Sequence, residues 1–190
     1  MMQVVLASKS PRRLELLRML GLDVIQSVSD VDESKVSANS PVELVEKLSL
    51  LKAEAVRGSM GDALPIIAAD TVVEYDGNIL GKPKSPENAK EMLRTLSGRT
   101  HNVHTGLTII YGGKTVTDAV SAKVTFRELS DAEIDAYVAS GDPMDKAGAY
   151  GIQCFAGCFV KGIEGDYFSI VGLPVCRVSE ILASLGVPII

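Results

Sequence analysis

The chain has no tryptophan, and its remaining aromatics are four Phe and five Tyr. Over 190 residues so few rings leave a mostly aliphatic core, and the aromatic platforms on which single-stranded nucleic acid stacks are missing. Histidine and cysteine are scarce as well, at two and three residues. Cys154, Cys158 and Cys176 form no CxxC pair and have no His nearby, which excludes a tetrahedral zinc site; they are expected to be reduced and semi-buried. His101 and His104 match no metal spacing and read as structural residues. A basic excess is absent too. With a net charge of −5 the chain draws no duplex affinity from counterion release, so nucleic acid is not an expected partner. No stretch approaches the ~18 apolar residues of a membrane span, and the first residues lack the charged and apolar regions of a secretory leader. No membrane association and a cytoplasmic location are the expectations.

What remains is a chain that is 46% hydrophobic, uninterrupted by repeats, low-complexity tracts or linkers, and long enough to bury a real core. Residues 1–190 are read as one domain. Val4-Val5-Leu6 reads as a short buried strand and Ser10-Pro11 as the cap and first residue of a helix, with Leu14, Leu17 and Leu20 as its buried stripe and Gly21 as its stop. That places Arg12 and Arg13 in the first turn, where the helix macrodipole disfavours cations by about 0.3–1 kcal/mol each when exposed. A bound anion would reverse that sign, and backbone N–H groups, Ser8 and guanidinium forks would form its cradle. These residues fit a solvated arginine pair equally well.

Ser40-Pro41-Val42-Glu43 reads as a capping box for a helix ending near Arg57, with Leu44, Leu48, Leu51 and Ala55 on its buried stripe and Lys52 beside it. A lysine at the edge of an apolar face ordinarily snorkels to water. The run Ile66-Ile67-Ala68-Ala69-Asp70-Thr71-Val72-Val73 is a buried strand interrupted by a carboxylate. Such a carboxylate is costly unless a cation, metal or donor meets it; alternatively the strand breaks there and Asp70 caps a loop. Asp76-Gly77 then turns the chain into Ile79-Leu80, and Gly81-Lys82-Pro83 follows. Ser85-Pro86 opens a helix with Ala89, Met92, Leu93 and Leu96 buried and Gly98 after it. Two long alternating arms around Gly112-Gly113 predict an antiparallel hairpin over 100–111 and 114–127, whose second arm would span about 45 Å of a strongly twisted sheet. Ser130-Asp131-Ala132-Glu133 is another capping box. The stretch Asp145–Gln153 is Gly-rich and without periodicity, suited to close backbone approach to a ligand or to a plain connection. A hairpin at Glu164-Gly165-Asp166 and a last helix after Pro174 complete the reading. Mixed elements with several antiparallel pairs argue against a doubly wound parallel sheet.

Six blocks carry a resemblance. They are Leu6-Ala7-Ser8 through Ser10-Pro11-Arg12-Arg13, Ala69-Asp70-Thr71-Val72-Val73, Gly81-Lys82-Pro83, Ser97-Gly98-Arg99-Thr100-His101, Asp145 through Gln153, and Val171-Gly172-Leu173-Pro174. In that order the chain resembles the Maf family of nucleoside triphosphate pyrophosphatases. The resemblance implies a mixed α/β (α+β) fold with an elongated, twisted mixed sheet flanked by helices and two lobes around a central cleft, an architecture shared with inosine triphosphate pyrophosphatases. It implies hydrolysis of a nucleoside triphosphate to the monophosphate and pyrophosphate with a divalent cation, Mg²⁺ or Mn²⁺, and a homodimer. Arg12, Thr71 and Gln153 are similar to the branch acting on dTTP and UTP, in contrast to the Trp, Gln and Glu of the 7-methyl-GTP branch.

Carried over residue by residue, Asp70 is the expected base and shares the metal with Glu33; Ser8, Arg13, Lys52 and Lys82 hold the triphosphate; and Arg12, Thr71 and Gln153 read the base. Hydrolysis between the α and β phosphates needs an in-line water, a base and neutralisation of the leaving pyrophosphate, which these residue types supply. The Gln153 amide has the donor and acceptor that the O4 and N3–H edge of uracil or thymine requires. A house-cleaning role against non-standard pyrimidine nucleotides is compatible with this set. The alternative is a regulatory or interaction protein linked to cell-division arrest.

Overall fold

The computed structural model describes residues 2–28 and 30–190. The first strand, β1 (Gln3–Leu6), leads through Ala7–Ser10 into α1 (Pro11–Met19) and back to β2 (Asp23–Gln26), which runs parallel to β1. A 3-10 turn at Glu33–Lys35 precedes α2 (Pro41–Met60) and the long strand β3 (Ile66–Tyr75). Then come β4 (Asn78–Leu80), α3 (Pro86–Leu96), β5 (Thr100–Tyr111), β6 (Lys114–Phe126) and α4 (Asp131–Ala139). Three 3-10 turns lead to β7 (Val160–Glu164), α5 (Tyr167–Val171) and α6 (Val175–Ser184). The strands form one mixed seven-stranded sheet in the order β2-β1-β3-β5-β6-β7, with β4 paired to β3, and helices flank it. β1 is parallel to β3 as well as to β2, whereas β4 and β7 pair antiparallel with β3 and β6.

The elements follow from local chemistry. The β3–β4 turn has Asp76 at φ 52° and Gly77 at φ 75°, the double left-handed turn that suits a two-residue hairpin. Ser85 accepts a bond from Asn88 N–H at the start of α3. At α4 both halves of the Ser130/Glu133 capping box are made. At α2 only half of the expected box exists: Ser40 Oγ accepts from Glu43 N–H, while the Glu43 carboxylate takes Asn39 N–H instead of Ser40 N–H. Ser10 occupies the N-cap of α1 but makes no side-chain cap bond. No helix among the described residues is long and apolar enough to cross a membrane.

The chain divides into two compact units. The first comprises Met1–Asp70, Thr105–Val120 and Gly172–Ile190. Part of its core is Val5, Ala7, Ala53, Val56, Ile66, Ala68 and Ile110, fully buried aliphatics worth about 1.5–3 kcal/mol each for the larger ones. Here α2 lies directly on β5: a Cβ on Gly106 would stand 2.1 Å from the carbonyl oxygen of Val45, so only glycine permits the approach. That contact fixes which face of α2 is inside. The buried residues are Val45, Leu48, Ser49, Ala53 and Val56, one step around from the expected Leu44, Leu48, Leu51 and Ala55. In α1 the buried residues are likewise Leu16 and Leu17, with Leu14 and Leu20 only partly covered.

The second unit comprises Thr71–His104 and Ser121–Val171. Its core gathers Val73, Leu93, Leu96, Val103, Val124, Phe126, Ile134, Tyr137, Tyr150 and Phe159. The rings pack edge to face, Phe126 against Tyr150 at 4.8 Å and against His101 at 5.0 Å. Gly165 joins β7 to α5, so the expected hairpin at 164–166 is instead a strand-to-helix turn. All three cysteines are free and exposed; the semi-buried expectation fails because they sit on the outer sides of short turns and of α6.

Candidate active site

The first unit brings together six of the residues singled out in the sequence. At the end of β1 the Ser8 side chain is buried, and its hydroxyl accepts bonds from Ser10 N–H and Arg13 Nη1, both at 3.2 Å. Gln26 Nε2 donates to the Ser8 carbonyl at 3.1 Å. Arg13 also donates through Nε to the carbonyl of Gly172 at 2.7 Å. The Val171–Pro174 block thus serves the first block: Gly172, at φ 122°, turns its carbonyl to the guanidinium. Sequence reasoning did not link them, and the only local signal was a glycine between Val171 and Leu173-Pro174. The first turn of α1 contains no acid to offset its two arginines. Burial lowers the pKa of Arg13, the nearby Asp70 charge opposes that shift, Arg12 adds to it and Glu33 opposes it more weakly. An arginine remains charged through such a shift.

Lys52 lies on the buried stripe of α2, between Ser49 and Val56, instead of beside it. It does not snorkel to bulk water. Its ammonium donates to Asp70 Oδ1 at 2.5 Å and meets Glu33 Oε1 at 3.0 Å. Lys52 and Asp70 side chains are each 14% exposed and Glu33 is 53% exposed. The carboxylate that interrupts the buried run of β3 is therefore met by a cation, which answers the cost of placing it there. The strand continues through Asp70 without ending in a loop.

Among the described residues no group of three or more His, Cys, Asp or Glu gathers into a metal cage. Asp70 and Glu33 nevertheless present hard oxygen donors, and with Lys52 on Oδ1 and Oε1 each keeps a second carboxylate oxygen. That donor set fits a cation of the Mg²⁺ kind, which binds through one or two carboxylates, substrate phosphates and several waters and needs no all-protein cage.

Thr71, Lys82 and Gln153 belong to the second unit. Thr71 is half-buried in β3, and Lys82 and Gln153 are exposed. The three segments that carry them meet at Gly148. A Cβ there would stand 2.8 Å from Val73 of β3, and the Gly148 N–H donates to the carbonyl of Gly81, beside Lys82, at 3.0 Å. Gly148 itself has φ 67°. His101 and His104 take no part in the proposed chemistry. His101 is buried with Nε2 at 2.8 Å from the Tyr150 hydroxyl, and His104 Nδ1 pairs with Ser121 Oγ at 2.7 Å.

Comparison with known proteins places the chain in a family. The family model described as Maf-like protein matches residues 3–185. A protein of Moorella thermoacetica named dTTP/UTP pyrophosphatase is 51% identical over 192 residues, covering 100% of this chain and 98% of its own length. One of the same name from Bacillus cereus is 48% identical over 189 residues, again covering 100% of this chain and 98% of its own. Among solved structures, a HAM1 protein from Coxiella burnetii superposes with a TM-score of 0.55 at 19% identity, over 97% of this chain and 100% of that one, a likeness of fold alone. With a family model matching nearly end to end and full-length relatives at about half identity, the chain belongs to the Maf-like protein family.

Proposed function

We propose that this protein is a nucleoside triphosphate pyrophosphatase acting on dTTP and UTP, releasing the monophosphate and pyrophosphate. The observation that carries the reading is the convergence of Asp70, Glu33, Lys52, Arg13 and Ser8 in one unit from four separate stretches of chain. The names of the full-length relatives support the same reaction and the same two substrates.

In this reading Asp70 accepts the proton of the attacking water on a carboxylate lone pair that Lys52 leaves available. The water oxygen bonds to the α-phosphorus as the bond to the bridging oxygen of pyrophosphate breaks. Arg13 is held in register by Ser8 and Gly172 and turns its guanidinium to the phosphates. Lys52 offers its third ammonium hydrogen, and Lys82, exposed beside Gly81, is assigned to phosphate binding as well. Arg12, Thr71 and Gln153 select the base, Gln153 by donating to O4 and accepting from N3–H of a uracil or thymine ring. Asp70 and Glu33 would hold a divalent cation, Mg²⁺ or Mn²⁺, which neutralises charge on the leaving pyrophosphate. The proposal includes a cytoplasmic homodimer and action on non-standard pyrimidine triphosphates.

The test is a nucleotide panel with Mg²⁺ or Mn²⁺ in which pyrophosphate and orthophosphate are separated. UTP and dTTP are expected to lead, with pyrophosphate as the inorganic product. Orthophosphate alone would reassign the protein to stepwise phosphate removal, and full activity in excess EDTA would remove the cation from the reaction.

A further inference from the structure

Lys146 is a charged side chain that the reaction does not use, yet it is 5% exposed. Its ammonium donates to the Asp142 carbonyl at 2.5 Å, to Asp142 Oδ1 at 3.0 Å and to Asp145 Oδ1 at 2.7 Å, so all three hydrogens have acceptors. Burying an ammonium costs far more than burying an apolar side chain of the same length. What this one touches suggests why the position is polar. A Cβ on Gly151 would stand 2.7 Å from Lys146 Cε and 2.8 Å from Cδ, so the lysine stem lies flat against the Gly151 backbone. From Gly151 the chain makes a turn closed by Cys154 N–H donating to the Gly151 carbonyl at 3.0 Å, and Gln153 is inside that turn.

The same network reaches the turn by a second route. Asp142 holds Lys146 with Oδ1 and accepts the Tyr137 hydroxyl with Oδ2 at 2.9 Å. The Tyr137 ring in turn stacks on that of Phe155, the residue that follows the turn, with centroids 6.1 Å apart. On the far side, Gly157 N–H donates to the Cys154 carbonyl, and a Cβ on Gly157 would stand 2.7 Å from the Ile152 carbonyl oxygen. Ala149 adopts φ 61°, a conformation that L residues with a side chain rarely take. Gly151–Cys154 is thus pinned from the lysine stem, from the Tyr137–Asp142 pair and from Gly157.

We propose that Lys146 is a positioning residue for Gln153: with Asp142, Asp145 and Tyr137 it fixes the Gly151–Cys154 turn and thereby sets discrimination between pyrimidine bases. The inference rests on the reading of Gln153 as a base-reading residue, and the experiment separates the two. kcat/KM for UTP and for CTP, which differ at the edge Gln153 would read, is measured in wild type, Gln153→Ala, Lys146→Met and the double variant. Gln153→Ala is expected to lower the UTP:CTP ratio. Lys146→Met is expected to lower it about tenfold towards the same value, because a small displacement of an orienting group is costly. The double variant is expected to match Gln153→Ala alone, as coupled residues do. A purely structural staple would instead reduce the active fraction for both nucleotides and leave the ratio unchanged.

An unchanged ratio in Lys146→Met beside a collapsed one in Gln153→Ala overturns the positioning role alone. An unchanged ratio in Gln153→Ala overturns the base-reading assignment and this inference with it. Should Lys146→Met not fold, Asp145→Asn removes one of the charges that face the ammonium, at a side chain that is 64% exposed. It is expected to move the ratio in the same direction by about twofold to fivefold; no movement overturns the proposal. Amide exchange gives a readout independent of turnover, with faster exchange expected at Cys154 and Gly157 and none of that acceleration in the α3 core.

Discussion

Lys52 joins Asp70 to Glu33, its ammonium 2.5 Å from one carboxylate and 3.0 Å from the other, so the proposed base and the second acid share one counterion. Losing the proposed base and losing the counterion therefore have different consequences. Asp70→Asn keeps shape and leaves Lys52 paired with Glu33; turnover is expected to fall at least about 10²-fold with little loss of fold. Lys52→Met leaves a mostly buried carboxylate beside another without the ammonium they share, and urea denaturation is expected to show a loss of about 1–3 kcal/mol, below the fully buried range because Glu33 is half exposed and Arg13 is near. Wild-type turnover in Asp70→Asn would transfer the base role to Glu33.

Arg13→Lys retains a positive charge but cannot bond Gly172 and Ser8 and still present a fork to a phosphate. KM for UTP is expected to rise about tenfold, and stability to drop by about 1 kcal/mol for the lost bonds. Steady-state kinetics together with a denaturant melt check both. A variant indistinguishable from wild type in KM would show that Arg13 is a structural strut.

Base choice is tested by Gln153→Glu, which replaces a donor facing O4 with a carboxylate. kcat/KM for UTP and dTTP is expected to fall roughly 10²-fold, since a polar group covered by substrate without a partner costs about 1–3 kcal/mol. The triple change Arg12→Trp, Thr71→Gln, Gln153→Glu is expected to raise relative activity on 7-methyl-GTP. Pyrimidine preference surviving in both proteins would move selectivity to other residues.

His101 supplies a pH prediction. Burial lowers its pKa from 6.5 to about 4, and its Nδ1 has no hydrogen-bond partner among the described residues. Between pH 6.5 and 4 the unfolded chain binds a proton there that the folded chain does not, so stability is full above pH 6.5 and falls as the pH drops through that window. The loss amounts to about 3 kcal/mol by pH 4. His101→Gln is expected to flatten this part of the stability curve, measured by urea melts between pH 4 and 7. A variant with the wild-type slope would place the acid sensitivity in other groups, with His104, whose pKa burial also lowers, next in line.

Much of the fold is legible because it is set by neighbours in sequence. Pro at the first helical position, the Ser85 and Ser130 caps, Asp76-Gly77 and Gly112-Gly113 each act within four residues, and the elements they bound are where the sequence puts them. The face of α2 is not legible, since Leu44, Leu51 and Ala55 are as apolar as Val45, Ala53 and Val56. The choice is made by Gly106, a residue distant in sequence, admitting the Val45 carbonyl. Lys52 was hidden for the same reason: turning the helix one step moves it from the edge of the stripe into the pair with Asp70. Lys146 reads as loop lysine, because nothing local announces that Gly151 will lie against its stem.

The chain passes between the two compact units at four places, the first of them the peptide bond joining Asp70 to Thr71. There the proposed proton acceptor closes the first segment of one unit and a proposed base-reading residue opens the other, so hydrolysis and recognition are adjacent in the gene to within one codon. Recombination between relatives with a crossover there would pass Thr71, Lys82 and Gln153 to the offspring as a block, while Ser8, Arg13, Glu33, Lys52 and Asp70 came from the other parent. Only Arg12 would travel with the hydrolytic block, which makes it the one change a chimaera of this lineage must acquire separately to inherit a new nucleotide.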